Sequence, residues 1–244
     1  MKRIVFLVVL CFPLLLTAQN RKWWIYPSLG FDLGGTIPFP LSDIPDGAKA
    51  SPKFNLCFGL GFEYHVSGKW NFGMEAGYHK LAFSGRADVR SQSFYFDNQN
   101  ILYFTGHTST DVEISFLEFP VMAIYKLSHR GSVLLGGYYS RILNGSFNTK
   151  GTDGVLSPDK NITDAAHLPG PANTVYDFNN YLDDWDTGLL IGYRHTIKHR
   201  IYLWSNIKVG LKSIFEREFN NIDYDMYQVR LNAGVSFTFF NKES

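Results

Sequence analysis

Tyr227-Gln228-Val229-Arg230-Leu231-Asn232-Ala233-Gly234-Val235-Ser236-Phe237-Thr238-Phe239-Phe240 alternates without a break. Val229, Leu231, Ala233, Val235, Phe237 and Phe239 form one face, and Gln228, Arg230, Asn232, Gly234, Ser236 and Thr238 form the other. A strand sends successive side chains to opposite faces, so the two sets point opposite ways. One apolar face, one polar face and aromatics close to the carboxyl end suit a transmembrane β-barrel. Its outside meets lipid and its lumen is polar.

Working back from that strand, seven more segments read as strands, at about 24–34, 53–66, 69–83, 112–127, 132–147, 186–197 and 200–215. The segment 53–66 is the cleanest, with Phe54, Leu56, Phe58, Leu60, Phe62 and Tyr64 opposing Asn55, Cys57, Gly59, Gly61, Glu63 and His65. In 112–127, Leu117, Phe119, Val121, Ala123 and Tyr125 share a face, whereas Val112, Ile114 and Phe116 fall in the other phase. One inserted residue flips a strand's phase, so a bulge near Phe116 is expected. The segment 132–147 shows no assignable faces. The predicted fold is all-β, an eight-stranded antiparallel up-and-down transmembrane β-barrel.

The connections carry the second signal. Val66–Lys69, Ser128–Gly131 and Lys198-His199 are short, whereas 35–52, 84–111, 148–185 and 216–225 are long, and the two kinds alternate. Outer-membrane barrels have short periplasmic turns and long extracellular loops. A secreted β-sandwich has no reason to obey that rule. The expected orientation has both termini in the periplasm. Trp23, Trp24, Tyr64, Trp70, Tyr125, Tyr193, Phe237 and Phe239 are expected at the periplasmic rim, and Phe31, Tyr78, Phe215 and Tyr227 at the other. Two such girdles mark the membrane interfaces.

The chain opens Met1-Lys2-Arg3, runs apolar from Ile4 to Leu16 and ends that stretch Thr17-Ala18-Gln19. A basic start, a short apolar core and a small-residue exit read as a secretory signal peptide, residues 1–19, ahead of a barrel domain, residues 20–244. Losing Lys2 and Arg3 lowers the basic count from 23 to 21 against 22 acids, so no basic field exists for nucleic acid. Cys57 alone of the two cysteines remains, so no internal disulfide is expected. Outer-membrane lipid is the expected surroundings.

A lumen of eight strands is narrow enough for side chains to fill. The expected inward charges are Asp32, Glu63, Glu75 and Glu118 on the first four strands and Arg194, Lys208, Lys212 and Arg230 on the last three. Acids and bases thus lie on opposite halves of the wall. Pairing across the lumen would relieve the cost of buried charge and plug the barrel. A charged, conducting channel is the alternative.

Glu63 with His65, and Glu75 with His79, have the residue types of a metal site, but polar lumen filling is the simpler reading. No HExxH, CxxC, Gly-x-Ser-x-Gly or phosphate-cradling glycine loop occurs, so no catalytic residue, cofactor or metal is expected. Ser128, His129, His195 and His199 gather near the short turns, which keeps a lipid-modifying enzyme as a second alternative. Within the connection 148–185, Tyr181, Asp183, Asp184 and Trp185 are expected to form a contact surface for a partner or a glycan. Loops that long are usually functional or disordered.

The stretch Phe116-Leu117-Glu118-Phe119-Pro120-Val121-Met122-Ala123-Ile124-Tyr125-Lys126-Leu127 resembles the Leu-Glu-x-Pro strand of the PorT-like outer-membrane β-barrel proteins of Bacteroidetes-type bacteria. Leu135-Gly136-Gly137-Tyr138-Tyr139, Trp185-Asp186-Thr187-Gly188 and Gly234–Phe239 are similar to the same family. The resemblance implies an eight-stranded outer-membrane barrel inserted by the barrel-assembly machinery, with no enzymatic activity. The expected function is a structural or interaction role with an outer-membrane protein partner, accessory to a larger outer-membrane or secretion assembly; a narrow channel or small-solute binder is the first alternative.

Overall fold

The computed structural model describes residues 22–41, 44, 47–97, 100–160, 174–198, 200–216 and 225–238. The expected signal peptide, His199, Phe239 and Phe240 lie outside the described residues. Ten strands form one antiparallel sheet: β1 (Trp23–Phe39), β2 (Lys49–Pro52), β3 (Asn55–Ser67), β4 (Trp70–Asp97), β5 (Asn100–Lys126), β6 (Gly131–Ser157), β7 (Thr174–Asp177), β8 (Trp185–Lys198), β9 (Ile201–Ser213) and β10 (Asp225–Phe237). The wall runs β1-β3-β4-β5-β6-β8-β9-β10 and closes because β10 pairs with β1 in register, from Ser28 opposite Ser236 to Phe39 opposite Asp225. β2 adds to β4 and β7 to β6, outside the ring of eight.

Side-chain placement is inverted relative to a soluble protein. Leu56 is 74% exposed and Leu135 62%, whereas Glu63 and Glu118 are 0% and Arg230 1%. Outward apolar and inward charged residues are low in energy only against lipid. A closed ring also leaves no unpaired backbone edge there. Gly68 begins the β3–β4 turn at φ +52, a left-handed conformation that tight two-residue hairpins require.

Three expectations are corrected. The stretch 84–111 is not a loop: β4 and β5 continue as one hairpin, paired from Trp70 opposite Tyr125 to Asp97 opposite Asn100. β4 has 28 residues, and β5 and β6 have 27 each, roughly 15 more than a membrane span needs. β1 likewise runs on to Phe39, and β2 and β7 fall inside two of the other predicted loops. Ladder hydrogen bonds are main-chain and persist beyond the lipid, where the outward face no longer needs apolar residues.

The expected bulge in β5 is absent. Burial alternates unbroken from Val112 to Ile124, so Val112, Ile114 and Phe116 point inward with Glu118. The extra residue sits in β6, where Ser115 pairs with Asn144 but Phe116 with Ile142. Leu143 is bulged out, and the inward phase switches from Leu134 and Tyr138 to Phe147 and Thr149. That switch explains why 132–147 shows no faces.

The girdle expectation fails at two residues. Tyr64, Trp70, Tyr193 and Phe237 are outward and exposed, with Trp70 and Tyr125 ring centroids 4.8 Å apart. Phe215, however, is buried in the lumen, and Trp24 lines the barrel mouth.

Candidate functional site

The lumen is filled in layers. At the end carrying the short turns, a mouth opens into a cavity of about 930 Å³ lined by Lys69, Lys126, His129, Arg130, Arg194 and Lys198. Above it, Arg194 on β8 reaches the diametrically opposite β3 and grips Glu63 with two bonds, at 2.5 and 2.9 Å. This fork-on-carboxylate geometry is the strongest ion-pair arrangement available to arginine. Asn71 donates to Glu63 at 2.6 Å and lies 2.8 Å from His65 Nδ1, and the guanidinium lies over the Tyr202 ring.

Higher in the barrel, Glu118 on β5 receives Lys208 from β9 and Arg230 from β10. β10 is the strand diametrically across from β5. Ser140 also donates to Glu118, at 3.3 Å. Arg230 lies over Phe116 at 4.5 Å and Tyr138 at 5.2 Å, so aromatic faces cover the guanidinium. His79 stands between two acids: Nδ1 is 2.9 Å from Asp32 and Nε2 is 3.7 Å from Glu118. Asn232 donates to Asp32, and the Tyr138 hydroxyl donates to the buried Asp186 at 3.0 Å.

Inward glycines make this density of side chains feasible. A Cβ on Gly61 would collide with the Tyr26 ring, one on Gly188 with Tyr138, and those on Gly30 and Gly234 with the Trp204 indole.

A third layer is apolar. Leu81, Phe83, Val89, Phe104, Val112, Ile114, Phe116, Phe147, Phe178, Leu182, Ile214 and Phe215 form one buried cluster across the extended end. The segment 178–184 straps that cluster from above. It contains a single 3-10 turn, Asn179–Tyr181, and bonds to β6 through Asp184 and to the β9 end through Asp183. A smaller cluster, Met122, Ile124, Leu134 and Leu190, lines one wall below.

The predicted charges therefore have distinct surroundings. Glu63 with Arg194, and Glu118 with Lys208 and Arg230, form cross-lumen pairs. Asp32 joins His79 and Asn232. Glu75 accepts a hydrogen bond from Ser28 at 2.5 Å. Lys212 is apart from these, at the extended rim, paired with Asp183 and 3.6 Å over the Trp185 ring. Of the expected contact surface, Tyr181 and Trp185 are exposed, and Asp184 pairs with Arg141 at 2.7 Å.

Glu63 with His65 and Glu75 with His79 do not converge as two sites, since each residue bonds elsewhere. Ser128 accepts hydrogen bonds from the Arg130 and Gly131 amides of its own turn, and His195 lies 3.4 Å from the Tyr193 hydroxyl. The roles of Asn71, His79 and Trp204 escape a search for charges, although strand parity already places them inward.

The family model of the outer membrane protein beta-barrel domain matches residues 17–242. No curated protein matches the chain. Among solved structures, it is similar to Ail, the attachment invasion locus protein of Yersinia pestis, at 9% identity. That match covers 90% of this chain and 100% of that one, with a TM-score of 0.41. Neisserial surface protein A is 9% identical, covering 89% and 97%, with a TM-score of 0.38. The outer membrane protease OmpT from Escherichia coli is 9% identical, covering 92% and 99%, with a TM-score of 0.31.

Proposed function

The chain belongs to the outer membrane protein beta-barrel domain family, and from that premise we propose a sealed, non-enzymatic barrel that anchors an extracellular interaction platform in the outer membrane. The platform is the sheet of β4, β5 and β6 beyond the lipid, edged by β2 and β7. The observation that carries this reading is the double closure of the lumen: the Glu118–Lys208–Arg230 layer lies beneath the apolar cluster around Phe116. Buried charges joined across the bore and an apolar layer above them leave little room for hydrated ions. The short-turn end and both termini face the periplasm in this reading. The Leu117-Glu118-Phe119-Pro120 strand supports placing the chain among the PorT-like barrels, as an accessory to a larger outer-membrane assembly.

The first test is purification from native outer membranes in mild detergent, with mass spectrometry of what accompanies the barrel. The expected result is one stoichiometric outer-membrane partner, and recovery of the barrel alone would remove the accessory role. Planar-bilayer recordings should show no stable conductance, whereas steady channels would mean that the layers do not seal. An altered lipid A profile in a deletion strain would instead favour a lipid-modifying enzyme.

A further inference from the structure

We propose that Asp32, Cys57 and His79 form a metal-ion site of the zinc type on the inner wall of the barrel. The three residues lie on the adjacent strands β1, β3 and β4, all with inward parity. One ligand atom from each falls within 4.8 Å of the other two. All three are buried, at 0%, 2% and 5% exposure. A carboxylate oxygen, a thiolate sulfur and an imidazole nitrogen are ligands that Zn²⁺ takes together, whereas Ca²⁺ and Mg²⁺ prefer oxygen alone.

His79 Nδ1 lies 2.9 Å from Asp32 Oδ2. With Zn–N and Zn–O bonds of about 2.0–2.1 Å and Zn–S of about 2.3 Å, tetrahedral edges are about 3.3–3.6 Å, so the three ligand atoms, all within 4.8 Å of one another, close by up to roughly 1 Å on binding. With Nδ1 on the metal, Nε2 carries the proton and faces Glu118 at 3.7 Å. That is the carboxylate–histidine–metal arrangement by which outer groups orient a ligating histidine. The imidazole is further held by Phe116, stacked at 5.8 Å and 9°.

One further observation points to a ligand here. Asn232, directly opposite Asp32 in register, is 0% exposed. Its Oδ1 has no partner among the described residues. A water completes four-coordination. Binding displaces the Cys57 thiol proton to solvent, so affinity rises with pH.

The test uses the full barrel, stripped of metal by a chelator in detergent and titrated with Co²⁺ alone. The expected result is one equivalent bound with a thiolate-to-cobalt charge-transfer band, displaced by Zn²⁺, and a raised unfolding midpoint in Zn²⁺. Cys57→Ser should abolish the band and weaken Zn²⁺ binding by at least about 10-fold. Folding of the variant is checked by its heat-shifted gel mobility. Wild-type protein that binds no stoichiometric Co²⁺, or binds it without the band, overturns the site, as does a band that survives in Cys57→Ser. Adventitious binding at exposed histidines such as His107 gives no thiolate band. The outcome is separate from the sealing of the barrel, which conductance reports.

Discussion

Glu118 draws its partners from three other strands: Ser140, Lys208 and Arg230, with His79 Nε2 nearby. Its desolvation is offset only while those charges surround it. Glu118→Leu would strand Lys208 and Arg230 in the lumen, and breaking one side of a buried pair costs about 3–5 kcal/mol. The expected result is a lower urea midpoint for unfolding of the lipid-reconstituted barrel. Replacing Lys208 and Arg230 with Met in the same protein should recover most of the loss, because well-packed apolar replacements of buried ion pairs are often neutral. An unchanged midpoint in the single variant would show that the charges do not depend on Glu118. Parity of a single strand tells which way Glu118 points, and it leaves open which bases it meets.

At the scale of the element, the extended β4–β5 hairpin stands on main-chain pairing and on modest surface polar contacts. Asp111 accepts a hydrogen bond from Ser84 at 2.6 Å and lies 3.4 Å from Lys53 Nζ, and Glu113 pairs with Lys80 at 2.7 Å. The Ser84 hydroxyl, then Lys53, hold the Asp111 carboxyl below its ordinary value, and Lys80 does the same for Glu113. A carboxylate depressed in the folded state stabilises above its unfolded pKa, near 4, and loses that contribution as pH falls through the folded value. Acidifying from pH 6 to pH 3 should therefore speed amide exchange in β2 and the adjoining part of β4, after correction for intrinsic rates. Both groups are half or more exposed, so each pair is worth no more than about 1 kcal/mol. Asp111→Asn should flatten this pH response, and an identical response in the variant would assign it to other groups. The bulge at Leu143 is the other element-level device, since it turns Phe147 into the apolar cluster after Tyr138 has faced the charge layer.

For the molecule as a whole, the membrane wall and the extension are separable by register. The ring of eight ends on this side where β3 leaves β4 at Phe58 opposite Tyr78, and β4 continues beyond it against β5 from Lys80 opposite Ser115. Replacing residues 86–109 with a two-residue turn should leave a barrel that still inserts and shifts on heated gels, because every ring pairing is kept. Its stability should fall, since Val89 and Phe104 leave the apolar cluster. Under the proposed role, the shortened barrel should also lose its co-purifying partner. Retention of the partner would move the interaction surface to the strap around Tyr181 and Trp185.

Alternation is a property of the strand itself, so the sequence alone determined the fold class and the two faces of most strands. Lipid demands an apolar outer face, and wherever the wall meets lipid the pattern is written residue by residue, as in Leu56, Phe58 and Leu60. Beyond the lipid that demand ends, and the continuation of β4, β5 and β6 left no periodic trace. The inward apolar run Val112, Ile114 and Phe116 likewise reads as an irregularity until the lumen above Glu118 is seen to be a packed core. Closure of the ring decided the rest. Glu63 and Arg194, or Glu118 and Arg230, are far apart in the chain and four strands apart in the wall. Only when β10 pairs with β1 do those strands face each other across a bore narrow enough for their side chains to meet.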